Sequence, residues 1–294
     1  MPAQSNCAAT SSLLALLVLA VAWLATSEPA RASDVDSEHL FGFTEGADIG
    51  KAGEREAESE TIARLGKSGG SYAAVTMNDQ VKWLPTDNLR LGANAALTYV
   101  GISGVPGLPD TQLATLRGVT LEARLMLMDR HRSPFGLTLI AEPRWGRVDA
   151  TSGEPSTSYG GTLTLAGDKE LIDNRLFGSV NLLYDSQATR MPLIDRWSNE
   201  SEIGASAALA ARATSALFLG GELRYLQAYD GHGLNSSSGQ AMFAGPTFYL
   251  RLAKGVAMSG AWNMQLTGRT PANGSLDLTH FERQQAKVRL NVNF

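Results

Sequence analysis

Three segments place an acid and a base two residues apart: Glu122 and Arg124 in L-E-A-R-L, Glu142 and Arg144 in A-E-P-R-W, Glu222 and Arg224 in G-E-L-R-Y. Side chains at i and i+2 share a face of an extended strand, so each segment delivers one carboxylate and one guanidinium to the same surface. Further charges sit near the two ends of the sequence, with Glu56, Glu58 and Glu60 at one and Lys287 and Arg289 at the other. Paired charges of this kind either select a passing solute or brace a wall. Glu58, Glu60, Glu122, Glu142 and Glu222 stand against Arg124, Arg144, Arg224, Lys287 and Arg289, five against five, which predicts a mutually neutralised belt and not a strongly ion-selective filter.

Other chemistries find less support. Only His232, in Y-D-G-H-G-L-N-S-S-S-G, lies near serines (Ser236, Ser237, Ser238), and that composition is ordinary turn chemistry. No H-x-x-x-H or carboxylate cluster suggests a metal, and no G-x-x-x-x-G-K loop suggests a nucleotide, so neither enzyme activity, a metal nor a cofactor is expected. The formal charge of −4 speaks against nucleic acid as a partner.

The elements that must position the charges are strands. Leu13 to Leu24 is apolar and is followed by Ala30-Arg31-Ala32 before Ser33, the pattern of a secretory signal peptide over residues 1–32 with cleavage between Ala32 and Ser33. The one cysteine, Cys7, leaves with it, which excludes disulfides and thiol chemistry in the mature chain. Residues 33–53 are Gly-rich and acidic without a clean period, and read as a periplasmic leader. Its Leu40, Phe41 and Phe43 are able to dock at or inside a barrel mouth as a plug. From residue 54 to 294, period-two runs recur at about 54–66, 72–84, 89–102, 112–129, 136–149, 157–172, 175–190, 201–212, 217–230, 240–252, 256–269 and 281–294. Short connections alternate with longer Gly/Ser/Asn/Pro-rich ones, as periplasmic turns alternate with extracellular loops.

The last run, Q-Q-A-K-V-R-L-N-V-N-F, alternates Ala286, Val288, Leu290, Val292 and Phe294 against Lys287, Arg289, Asn291 and Asn293. It resembles the terminal strand of Gram-negative outer-membrane β-barrels, and the leader E-H-L-F-G-F-T-E-G-A-D-I-G resembles the opening of an uncharacterised proteobacterial group of them. The resemblance implies location in the cell outer membrane, with its lipids and lipopolysaccharide as surroundings. It also implies that the assembly machinery recognises the strand carrying Val288, Leu290, Val292 and Phe294.

The expected architecture is therefore all-β: a transmembrane up-and-down antiparallel barrel of about 12 strands. Its backbone diameter would be near 24 Å, leaving a gap of roughly 10 Å. One antiparallel register would set Arg124 opposite Glu142 and Glu122 opposite Arg144. Glu56, Glu58 and Glu60 would face Lys287 and Arg289 at the closing seam. Trp83, Tyr99, Trp145, Tyr159, Tyr225, Tyr229 and Phe294 would form the interfacial girdles. Pro143 and Pro246, outward and mid-strand, are explicable only as local bulges. No external connection looks long enough to fold back as a constriction, so Leu40 to Phe43 are the gate candidates. The leading functional expectation is a passive channel for small hydrophilic or amphipathic solutes. The alternative is a non-conducting structural or surface-interaction barrel sealed by its charges.

Overall fold

The computed structural model describes residues 35–192, 196–269 and 275–294. The expected signal peptide, including Ala32 and Ser33, lies outside the described residues. The chain forms β1 (Arg55–Leu65), β2 (Ser71–Thr86), β3 (Leu89–Ser103), β4 (Thr111–Met128), β5 (Gly136–Val148), β6 (Pro155–Ile172), β7 (Leu176–Arg190), β8 (Trp197–Arg212), β9 (Leu217–Asp230), β10 (Ser237–Ala253), β11 (Val256–Arg269) and β12 (Gln284–Asn293). Each strand pairs antiparallel with its chain neighbour, and β1 pairs with β12, so the sheet closes into a barrel. β8 and β10 begin several residues earlier than the alternation predicts, and β12 begins at Gln284, later than expected.

Closure removes both sheet edges, and the period-two pattern then decides what each face meets. Leu91, Leu97, Val119, Leu121, Leu125, Leu209, Leu219, Leu223, Trp262, Leu266, Val288 and Leu290 stand exposed on the outer wall. The charged set is turned inward. At the seam Glu60 lies opposite Arg289 and Ile62 opposite Lys287. Lys287 Nζ reaches Glu60 at 2.8 Å, and Arg289 reaches Glu60 at 2.9 Å and Glu58 at 3.5 Å.

The β4–β5 hairpin departs from expectation. Arg124 lies opposite Ile140 and Thr120 opposite Arg144, a slip of two residues from the charge-pairing register. A slip of two returns every side chain to its own face, so the apolar pattern does not discriminate between the registers. The connection, with its irregularity between Met126 and Met128, decides. The prolines need no bulge either. Pro143 lies opposite Gly161 and Pro246 opposite Gly221, neither at a register shift. A glycine partner leaves room for each ring, and the missing ladder bonds fall on the other side, towards β4 and β11, where pairing is interrupted. Trp83, Tyr99, Trp145, Tyr159 and Phe294 are exposed at the outer wall, whereas Tyr229, which shares its face of β9 with exposed Leu219 and Leu223, is only 7% exposed.

Candidate functional site

One end of the barrel carries the brief connections, such as residues 87–88, 173–175 and 254–255, and the start of β1 and finish of β12 lie at that end. Residues 35–53 enter there as an irregular loop with almost no exposure between Ser37 and Ile49. Its two limbs meet where the Ser37 amide donates to Asp48 at 3.0 Å. Gly46 lets them approach, since a Cβ there would stand 2.1 Å from the Ser37 carbonyl oxygen.

The anchoring is by side chains of the wall. Glu38 accepts from Lys82 of β2 at 3.1 Å and from both terminal nitrogens of Arg90 of β3. Glu45 takes Arg289 at 3.0 Å, Arg124 at 3.3 Å and Lys287 at 3.4 Å. Around these two acids, burial disfavours charge, but it is outweighed. Arg90, His39, Lys82 and Arg124 hold the Glu38 carboxyl well below the usual carboxylate range, and Arg289, Lys287 and Arg124 do the same for Glu45.

The backbone of the leader is satisfied with equal care. Glu222 of β9 accepts from the Phe43 and Thr44 amides at 3.0 and 2.9 Å and from the Thr44 hydroxyl at 3.0 Å. Asn181 of β7 brackets Glu45, accepting from its amide at 2.6 Å and donating to its carbonyl at 2.9 Å. Thr138 of β5 donates to the Ala47 carbonyl at 2.5 Å, and Asp168 of β6 accepts from the Ala47 amide and the Ser37 hydroxyl. Leu40 and Phe41 are buried with Phe177, Ala208, Ala210 and Phe218. Phe43 instead lies under Arg224, whose guanidinium stands 4.2 Å from the ring centroid, a cation–π contact. Gly42 passes so close to β11 that a Cβ would lie 2.5 Å from that of Ala261.

Glu58, Glu60, Glu122, Arg124, Glu142, Lys287 and Arg289 converge on one polar cavity of about 220 Å³ at mid-height, which Glu45 also lines. Arg144, Glu222 and Arg224 do not line it. Arg144 forms a two-pronged pair with Asp185 at 2.6 Å for both nitrogens. Arg224 donates to Gln285 at 2.8 Å, and Glu222 is spent on the leader. Charge reasoning on the sequence missed Glu38, Glu45, Lys82, Arg90, Asp168 and Asp185. The alternation of β2 and β3 already puts Lys82 and Arg90 on the inner face, which is the signal that could have found them.

The opposite end corrects the expectation that no connection folds back. Asp277, Phe281 and Glu282 are buried, and Phe281 packs against inward Leu226, Ala241 and Phe243. Gln265 donates to the Asp277 carbonyl at 3.1 Å, and Lys67 donates to the carbonyls of Thr279 and Phe281 at 3.2 and 3.0 Å. Phe281, just ahead of β12, turns residues 275–283 inward at this end, an effect that length alone does not register.

One group has metal-like spacing: Glu38, His39, Glu56 and Glu58 bring ligand atoms within 4.8 Å of one another. Lys82 Nζ already lies among those carboxylates, 2.7 Å from Glu58, 2.9 Å from Glu56 and 3.1 Å from Glu38. The ammonium supplies the positive charge a metal would bring, so the donor set does not fit an ion. No serine hydroxyl bonds His232 among the described residues, and its carbonyl accepts from Tyr184 at 3.1 Å.

The barrel is similar to a solved outer membrane channel from Pseudomonas putida F1, with a TM-score of 0.58 at 15% identity over 84% of this chain and 98% of that one. It is also similar to the β domain of a Bordetella autotransporter, with a TM-score of 0.50 at 14% identity over 83% and 100% of the two chains. At such identities the likeness carries the fold, that of outer-membrane β-barrel proteins. Compared by sequence with curated proteins, the chain matches none. The match that spans residues 33–294 is to DUF6662, and the chain belongs to that family of unknown function.

Proposed function

We propose that the protein is an outer-membrane channel for passive passage of small hydrophilic or amphipathic solutes, held shut by its own leader. The observation that carries this reading is the separability of the seal. The wall surrounds a charged cavity, and what closes it at the short-turn end is residues 37–49, attached by side-chain contacts and not by strand pairing. A wall built only to stand would not need a removable stopper. The description of the Pseudomonas putida protein as an outer membrane channel supports the reading at the level of shape. The loop end faces outwards and the leader faces the periplasm. Outer-membrane lipids and lipopolysaccharide surround the wall, and the assembly machinery reads Val288, Leu290, Val292 and Phe294 on β12.

Planar-bilayer conductance of the refolded protein tests this. The intact chain should be closed with brief openings, and Glu38→Gln with Glu45→Gln, or removal of residues 33–53, should produce steady current. Absence of current in every form would sink the channel reading. It would favour the second one, a non-conducting structural or surface-interaction barrel, for which the interlocked pairs around Glu38 and Glu45 and the inward Phe281 segment are the motivating features.

A further inference from the structure

Among the described residues the outer wall carries one charged side chain between its two aromatic levels. Asp79 stands on the outward face of β2, opposite Ser59 of β1 and Ala95 of β3. Four residues towards the short-turn end is exposed Trp83, and four residues the other way is Val75, opposite exposed Tyr99. Asp79 therefore lies midway between the levels that mark the two interfaces, where hydrocarbon surrounds the wall. Among the described residues it forms no hydrogen bond or ion pair. Around it Ala57, Ala93 and Ala95 are small, and with Val81, Leu121 and Leu290 they shape an apolar groove of about 710 Å³.

An unpartnered carboxylate facing hydrocarbon is unfavourable, and ionisable groups kept at such depth mark function by default. The groove is shallow and open along the wall, so an occupant would keep one side against lipid. A lipid acyl chain fills the apolar walls but brings no donor, and headgroups lie about 15 Å away, half the hydrocarbon thickness. A second copy is a poor occupant. A two-fold axis along the membrane normal preserves height, no described outward residue at the level of Asp79 is cationic, and two concave faces do not fill each other. What complements this site is a positive donor on an apolar body. We propose that the groove binds an amphipathic amine from the bilayer, its protonated nitrogen donating to the Asp79 carboxylate and its apolar portion lying along Ala57, Ala93 and Ala95.

The test uses the full mature chain in phosphatidylcholine vesicles, with Trp145→Phe, Trp197→Phe and Trp262→Phe so that Trp83 reports alone. Nitroxide-labelled dodecylamine should quench Trp83 saturably. Unlabelled dodecylamine should displace it, while dodecanol and dodecanoate should not. Asp79→Asn, which removes a charge from the lipid face and so should assemble at least as well, should weaken binding about tenfold; Asp79→Ser serves if that variant does not refold. Quenching that never saturates means ordinary lipid covers the face. Equal displacement by dodecanol, affinity unchanged in both variants, or a dimer cross-linked through β2 would each overturn the proposal.

Discussion

Chain segments fold into the two ends of the lumen by different means. At the short-turn end the stopper is a separate segment, and its buried contacts are charged or polar: Glu38 on Lys82 and Arg90, Glu45 on Arg124, Lys287 and Arg289, and Glu222 on the leader amides. At the loop end the inward segment is residues 275–283, which lead directly into β12, and its centre is apolar, Phe281 against Phe243. Charged anchors are all-or-none, because losing one partner strands the others in a dry interior, whereas apolar contacts weaken by degrees. The contrast makes the leader, and not the loop, the segment that the proposed channel would have to release.

The sharpest way to break the contrast is Glu38→Ala, which takes the two-pronged partner from Arg90 and leaves it only Glu122 at 3.3 Å, while Lys82 keeps Glu56 and Glu58. It should lower stability by about 3 kcal/mol, the low end for a broken buried pair. Thermal unfolding together with protease cutting inside residues 33–53 reads it, and an uncut, stable variant would remove the anchor. Arg124→Glu should cost a comparable amount, because Arg124 faces Glu122, Glu38 and Glu45. Adding Glu142→Arg should not restore it in the same melting assay, since the register sets Arg124 against Ile140. Phe281→Ala should cost about 3 kcal/mol, at the low end for a buried phenylalanine, and leave the leader resistant to protease. Gly46→Ala should cost about 1–3 kcal/mol by pushing on the Ser37 carbonyl, read as earlier cutting of the leader with the wall unchanged.

Acidity should matter least. Glu38 and Glu45 have carboxyls depressed in the folded state, so their stabilisation is fully present above the unfolded carboxylate value and is lost only as pH falls through the lower folded one. Leader protection should therefore hold from neutral pH to about 4 and fail only in stronger acid. Release near pH 6 would point to a different anchor.

Much of the wall was legible in the sequence because a barrel reports itself through alternation. The outward leucines of β3 and β4, the seam of Glu60 with Arg289, and the strand order all follow from period two and closure. The β4–β5 register was not legible, since Glu122 and Arg124 keep their inward face under a slip of two, and their charges find partners in the leader and not across the hairpin. The leader itself has no period to read. Its Leu40 and Phe41 suggest a docking segment, but the acids that fix it, Glu38 and Glu45, look like solvated charges until the inner faces of β2, β3, β4 and β12 are brought around them. Phe281 and Asp79 escaped for opposite reasons, one an apolar residue in a connection and the other a charge within a strand.

The central claim is that the leader, lodged in the lumen, is the gate. The most direct measurement takes the barrel without residues 33–53 and adds that segment back as a free peptide on the short-turn side, because the leader is held by side-chain contacts such as Glu45 on Arg289 and Glu38 on Lys82. The current should be recorded before and after the addition. The account predicts that the peptide silences the current and that the same peptide with Glu38→Gln and Glu45→Gln does not. A current indifferent to the native peptide would contradict it.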